Sequence, residues 1–447
     1  MYREGRTPFT TVFTIKVTGE LDEERLRKAL ARVQAKHPLL RCVVEEAADG
    51  PHFVPRDRPA PIPLRIVERG GDDDWQTEAR REWVKPFEAS HEPLVRFVWL
   101  RAGDANELLL VGHHCVCDGY SGINLLRECL SVYDQPEQDL GRYHALGAIE
   151  DIVPSALLED QRFRRRVRWK RRMLRLTLFL KRSLLKPSRG GKTPNPDAEA
   201  EHTYFHRWDA GAASALALTE RCRAEGVTVL AAVSVAFMQA FRDVRGTKGL
   251  AKTCAMVNAR RFLPELHADA MFGLAPSVAL RTKGLPPPRD ISAGGFWTRA
   301  RGIKAEMTRR VDRLGAGLYD SLVAFEGLRD QYANLVAFFE SAPAVRNVTL
   351  SNLGRLDLPQ QYRSFQLERV YSPLVMVSPT PANTVVISSF AGQMEFAIIS
   401  DEQSLPRSQA IEIQQRAMEI LRACIAMPMG HKAALGNEQP ATRPETA

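Results

Sequence analysis

Phe13, Ile15 and Val17 alternate with polar neighbours, the period of a strand with one buried face. In the segment that follows, Leu26, Leu30 and Val33 share one helical face, with acids early and bases late, an order that suits the helix dipole. Pro38 stops this helix, and LLRCVV from Leu39 begins a second strand. Two apolar runs, Leu94 to Arg101 and Glu107 to His114, flank the turn-rich AGDAN and predict a hairpin. Beyond Gly119, Ile123, Leu126 and Leu130 keep helical spacing. In the second half, Val229 to Val244 reads as a buried helix, and KTCAMVNARR from Lys252 as a core strand ending in charge. RNVTLSNLG, TVVISSFA and QMEFAIIS read as further strands, and an amphipathic helix runs from about Arg407 to Cys424. The alternation predicts an α/β fold, a mixed-sheet α+β sandwich.

One segment breaks the pattern. Residues 156 to 186 contain no proline or glycine and predict a long helix, and the stretch from Gln161 to Lys186 holds 12 arginines and lysines in 26 positions. Phe163, Val167, Leu174, Leu178 and Leu185 form one apolar stripe on it. Such a helix suits contact with a membrane surface or an acidic protein. It equally suits packing across a domain junction with a solvated basic face. Pro187 to Glu201 is rich in proline and glycine and reads as a linker. The expected organisation is therefore an N-terminal lobe over 1–186, a linker over 187–201, a C-terminal lobe over 202–426 and a disordered tail over 427–447.

Composition narrows the class. The 447 residues allow two domains of ordinary size, and the 44% hydrophobic and 26% charged fractions are those of a soluble globular chain. The net charge of +9 favours anionic ligands without choosing among nucleic acid, membrane and phosphate-bearing cofactor. Nucleic-acid binding would rest on the basic helix alone, without a recognised module. The seven cysteines include no CxxC pair, which argues against structural zinc. Cys115 and Cys117 are two apart, on one face of a strand; small core filler suits them better than a metal pair. No long apolar leader and no stretch of about 20 apolar residues occurs, so a reduced, cytoplasmic location is expected. GxSxG, GxxxxGK[ST] and HExxH are all absent.

The string VGHHCVCDGYSG, Val111 to Gly122, carries the candidate chemistry. Adjacent residues at a strand end point to opposite sides, so only one of His113 and His114 faces a given cavity. Imidazole titrates near neutrality and is the natural general base at cellular pH. Asp118 can brace the loop by pairing with a cation, and Gly119 allows a close approach that a side chain would obstruct.

HHCVCDG resembles the HHxxxDG signature of the chloramphenicol acetyltransferase-like superfamily, which includes peptide condensation domains, polyketide-associated acyltransferases and alcohol acyltransferases. HPLLR at His37, PFEASHEPLVRF at Pro86, VNARRFL at Val257 and SNLGRLD at Ser351 resemble further family elements in the expected order. The resemblance spans about residues 9 to 426. It implies two similar lobes forming a pseudo-dimer around a central channel, with donor and acceptor entering from opposite faces. His114 would deprotonate the acceptor, which attacks a thioester in a ternary complex. Asp118 would pair with an arginine from elsewhere, with Arg260 the candidate and Arg261 or Arg41 the alternatives. Asn352 lies near the expected channel, or else simply forms a turn. No cofactor or metal is expected to be resident; acyl-coenzyme A or acyl-phosphopantetheine is the expected co-substrate. The expected partners are that donor, an alcohol or amine acceptor, and an acidic carrier protein or membrane surface at the basic helix 161–186. Plant-type DFGWG and wax-synthase PLN elements are missing, and about 20 residues follow the last helix. A free-standing acyltransferase is therefore expected. The alternatives are a condensation enzyme joining carrier-bound partners and a non-catalytic binding protein on the same fold.

Overall fold

The computed structural model describes residues 9–48, 50–145, 147–184, 202–246, 252–274, 276–280, 293–331, 334, 347–375 and 383–426. The expected linker and tail lie outside them. The chain opens with β1 (Thr10–Thr18) and α1 (Glu23–Lys36). Asp22 caps α1 by accepting the Arg25 N–H at 2.7 Å, with Glu23 and Glu24 in the first turn where the dipole favours them. The expected strand at Leu39 starts later. Pro38–Arg41 is one 3-10 turn, because proline suits a helical first position, and β2 (Cys42–Ala47) follows it. Among the described residues β2 pairs only with β3 (Gly50–Pro55). Next come β4 (Leu64–Glu68), α2 (Asp74–Val84), β5 (Val95–Arg101), β6 (Ala105–His113) and α3 (Gly119–Asp134).

The helix expected from residue 156 is two helices. α4 (Ser155–Glu159) ends at Asp160, whose carboxylate accepts the N–H groups of Arg162 and Phe163 and restarts the chain as α5 (Gln161–Leu184). The second half runs β7 (Thr203–Asp209), α6 (Ala212–Ala224), α7 (Val229–Arg245), β8 (Lys252–Met256), β9 (Ser277–Leu280), α8 (Ala293–Ala316) and α9 (Leu318–Glu326). It finishes with β10 (Asn347–Arg355), β11 (Gln366–Val370), β12 (Leu374–Val375), β13 (Asn383–Phe390), β14 (Gln393–Asp401) and α10 (Arg407–Ala426).

Two six-stranded mixed sheets organise these elements. The first has the order β11-β1-β6-β5-β4, with β12 also on β1; only β4 and β5 run parallel. The second has the order β7-β14-β13-β10-β8-β9, with β10 parallel to both β13 and β8. Sheet membership does not follow chain order, since β11 and β12 leave the second half to pair with β1. α2 packs between the sheets: Trp75 stacks on Tyr371 at 4.1 Å and approaches Phe205 of β7 at 6.3 Å. α7 forms the centre of the second core, which is why its sequence is apolar on nearly every side. α5 lies against α9, and Phe163 and Val167 meet Val323 and Ala324 there. Among the described residues no single helix is long and apolar enough to cross a membrane.

Candidate active site

Strand β6 delivers both histidines. The His113 N–H donates to the Leu94 carbonyl at 2.8 Å, the His114 N–H to the Phe9 carbonyl at 2.6 Å, and the chain then turns as Val116 and Cys117 N–H groups converge on the His113 carbonyl. Both rings lie beside Phe9, that of His113 stacked at 6.4 Å. His113 meets the edge of Phe87 at 5.9 Å, and its Nδ1 accepts the Cys115 N–H at 3.2 Å. Burial, aided by His114, holds the His113 imidazole down at about 4, so it is neutral at cellular pH. His114 lies 5.6 Å from the Phe9 ring and is 7% exposed. Burial lowers its pKa as well, while Asp118 and the carbonyls of His114 and Cys117 pull the other way. The result is a neutral, proton-accepting imidazole.

Asp118 is the N-cap of α3. Its Oδ1 accepts the N–H groups of Tyr120 and Ser121 at 3.1 and 2.9 Å, while Ser121 Oγ accepts the Asp118 N–H at 2.8 Å, completing a capping box. Its Oδ2 faces the second half of the chain. There it accepts from Arg260 Nη2 at 2.9 Å and from the Leu274 N–H at 3.2 Å. Arg260 stands on the 3-10 turn that follows β8, with further donors on the carbonyls of Ala270 and Phe272 at 3.1 and 2.6 Å. A buried ion pair of this kind is tolerated because every oxygen of the acid is satisfied. Of the other two arginines weighed, Arg261 is exposed and lies over the Phe262 ring at 4.6 Å. Arg41 lines a cavity of about 330 Å³ together with Arg56, Arg58 and His91.

Close backbone approach fixes the loop. A Cβ on Gly273 would lie 2.3 Å from the His114 carbonyl oxygen and 2.6 Å from that of Cys115, so only glycine lets the 260–274 segment seat against the motif. At Gly119 the obstructing neighbour is Leu353 of β10, 2.5 Å from a Cβ there. Asn352, next to it, has its Oδ1 on the Gly354 N–H at 2.8 Å, in a bulge where Gly354 takes a φ of 69°. The turn-forming reading of Asn352 therefore describes its contact. Cys117 is buried and Cys115 half-buried; desolvation pushes both thiols up to about 12, and they stay protonated. Among the described residues, no group of three or more His, Cys, Asp or Glu is placed to hold a metal ion.

A second buried cluster escaped the sequence reading. Lys36 Nζ bridges Glu128 at 2.6 Å and Asp269 at 2.8 Å, and His37 Nε2 meets the other Glu128 oxygen at 2.7 Å. Tyr143 donates to Asp269 at 2.5 Å and stacks on His267 at 4.2 Å. Burial opposes charge on Lys36, yet the two acids hold its pKa above the ordinary value. Phe9, Phe87, Gly273 and Leu274 were not singled out, because backbone approaches and isolated ring contacts leave no residue-type signal. Ser121 did have one: a serine three positions after an aspartate N-cap is a capping-box pattern.

The fold is similar to that of solved condensation domains and acetyltransferases, and residues 2–150 match the family model of the Condensation domain. The trichothecene 15-O-acetyltransferase TRI3 from Fusarium sporotrichioides superposes with a TM-score of 0.66 at 11% identity, over 94% of this chain and 92% of that one. Polyketide synthase associated protein 5 from Mycobacterium tuberculosis gives 0.61 at 15% identity, over 93% and 94%. Tyrocidine synthase 3 from Brevibacillus parabrevis is 31% identical over 120 residues, which are 27% of this chain and 2% of that relative's length. The chain thus spans a small part of the curated relatives it matches, and the family match over 2–150 contains the HHxxxDG loop.

Proposed function

We propose that the chain transfers an acyl group from a thioester to a hydroxyl or amine, with His114 as general base. The observation that carries this reading is a neutral, buried imidazole on a loop clamped from both halves through Asp118, Arg260, Leu274 and Gly273. The ring nitrogen of His114 takes the acceptor proton as the oxygen or nitrogen attacks the thioester carbonyl. Collapse of the tetrahedral adduct breaks the carbon–sulfur bond, and the proton passes to the departing thiolate. Asp118 is spent on caps and Arg260, so it positions the loop and does not move the proton. His113 packs against Phe9 and Phe87 and accepts the Cys115 N–H. Acyl-coenzyme A and carrier-bound acyl-phosphopantetheine both present the required thioester. The match of residues 2–150 to the Condensation domain model favours, as a second reading, amide or ester formation between carrier-bound partners.

Free-thiol release from a panel of acyl-coenzyme A donors, with mixed alcohols and amines as acceptors, tests the reading. Acceptor-dependent release is expected to fall by about 10²–10⁴ in His114→Ala. Undiminished release in the variant removes His114 from the chemistry. Turnover seen only with acyl-loaded carrier protein selects the second reading.

A further inference from the structure

Helix α5 has two opposed apolar faces, and among the described residues only one of them is covered. At 100° per residue, Phe163, Val167, Leu174 and Leu178 cluster on one side. Phe163, Val167 and Leu178 are at most 6% exposed, and the first two pack against α9. Trp169, Met173, Leu176 and Leu180 cluster on the opposite side, and they are 66%, 41%, 47% and 48% exposed. This second stripe extends over about 17 Å of helix. Four large apolar side chains in line are not the scattered surface residues that need no explanation.

The cations of α5 divide in the same way. Arg166 pairs with Asp320 at 2.9 Å, Arg175 with Asp330 at 2.8 Å, and Lys170 donates to Ser321 at 2.6 Å, all toward the α9 side. Arg165, Arg168 and Arg172 form a row along the bare stripe, and none of them has a carboxylate partner among the described residues. Long arginine stems flanking Trp and Leu, with the guanidinium groups free, are the composition of a helix that lies in a headgroup–acyl boundary. We infer that the outer face of α5 docks on an anionic membrane surface, the apolar row seated below the headgroups and the arginine row among the phosphates. The pairing of an apolar row with an arginine row favours a lipid plane, which offers acyl chains and phosphates side by side along the whole helix. The contact is interfacial, since no single described helix is apolar enough to span.

Sedimentation of the full chain with phosphatidylcholine vesicles, and with vesicles of phosphatidylcholine and phosphatidylglycerol in equal parts, provides the test. Binding is expected to the anionic vesicles and not to the neutral ones, and to weaken with salt. It is expected to fall at least about tenfold in the double variant Trp169→Glu, Leu176→Glu, and in Arg165→Glu, Arg168→Glu, Arg172→Glu. Both variants change exposed side chains, and circular dichroism checks that they stay folded. Trp75, Trp83, Trp99 and Trp297 are at most 2% exposed, so a blue shift of tryptophan emission on anionic vesicles reports chiefly on Trp169. Absence of sedimentation, or equal sedimentation of the variants, would overturn the inference. So would an acyl carrier protein whose binding needs these residues while vesicle binding does not. Vesicle binding reads α5 and thiol release reads His114, so either can fail without the other.

Discussion

Two buried ion clusters tie the first half of the chain to the same segment, Arg260 to Leu274, yet they are built on different principles. At Asp118 a single acid is surrounded by donors: two N–H groups of its own helix, the Leu274 N–H and Arg260. At Lys36 a single cation is shared by two acids, Glu128 and Asp269, with His37 and Tyr143 as auxiliary partners. The first cluster abuts the candidate base, and its acid has no spare oxygen. The second lies at the C-terminal end of α1, against Glu128 within α3, and its cation is divided between two acids. Over-satisfaction suits a group that must stay charged and still, whereas a shared cation suits a joint that need only hold.

Four measurements break or sharpen that contrast. The largest effect is expected from Arg260→Met, which leaves Asp118 buried without its cation. It should cost about 3–5 kcal/mol in denaturant unfolding, with activity lost in parallel. Gly273→Ala touches no ion but wedges the motif loop. A displacement of about 1 Å at His114 corresponds to roughly hundredfold lower kcat/KM. A fall below about threefold would show that the segment yields and the clamp is not rigid.

Titration comes third. Because burial lowers the pKa of His113 to about 4, the unfolded chain binds a proton there that the native chain refuses below the ordinary value of 6.5. That stability is intact above 6.5 and is lost as pH falls from 6.5 toward 4, by about 2 kcal/mol at about pH 5. Asp269, whose pKa lies below the ordinary 3.8, keeps its contribution until more acid conditions. Thermal melts across this window should therefore soften through the motif histidine first. The smallest catalytic effect is expected from Lys36→Met, which strands Glu128 and Asp269 without their cation and should cost about 3–5 kcal/mol of stability while leaving the motif loop untouched. Its kcat/KM should stay within about threefold of wild type; a larger drop would place the second cluster in the catalytic positioning.

What the sequence made legible were the parts governed by period and by residue type. The β5–β6 hairpin, α3 behind the motif, the buried α7 and the strands β10, β13 and β14 all follow from apolar spacing. The choice among three arginines did not, because a salt bridge 142 positions apart has no local signature. β11 was invisible for a related reason: Gln366 to Val370 is short, and its partner is β1, at the other end of the chain. The outer stripe of α5 was hidden by its own neighbour, since periodicity finds one apolar face and the structure alone says which face is covered. Asn352 shows the converse, its turn contact being written in the Asn-Leu-Gly sequence.

The return of β11 and β12 to β1 bears on any attempt to dissect the protein. A fragment cut within 187–201 would carry β1 with β6 on one side and an open edge on the other. That edge runs beside Val12, Ile15 and Val17, all essentially inaccessible in the intact chain. An unpaired apolar edge of this kind recruits other strands, so isolated halves should self-associate instead of behaving as modules. For the same reason, exchanging halves between relatives would require the donor of β1 to accept a foreign strand in register. Every single crossover between β1 and β11 meets that requirement, those within α4 and α5 included, whereas one beyond β12 keeps β1 with its own partners.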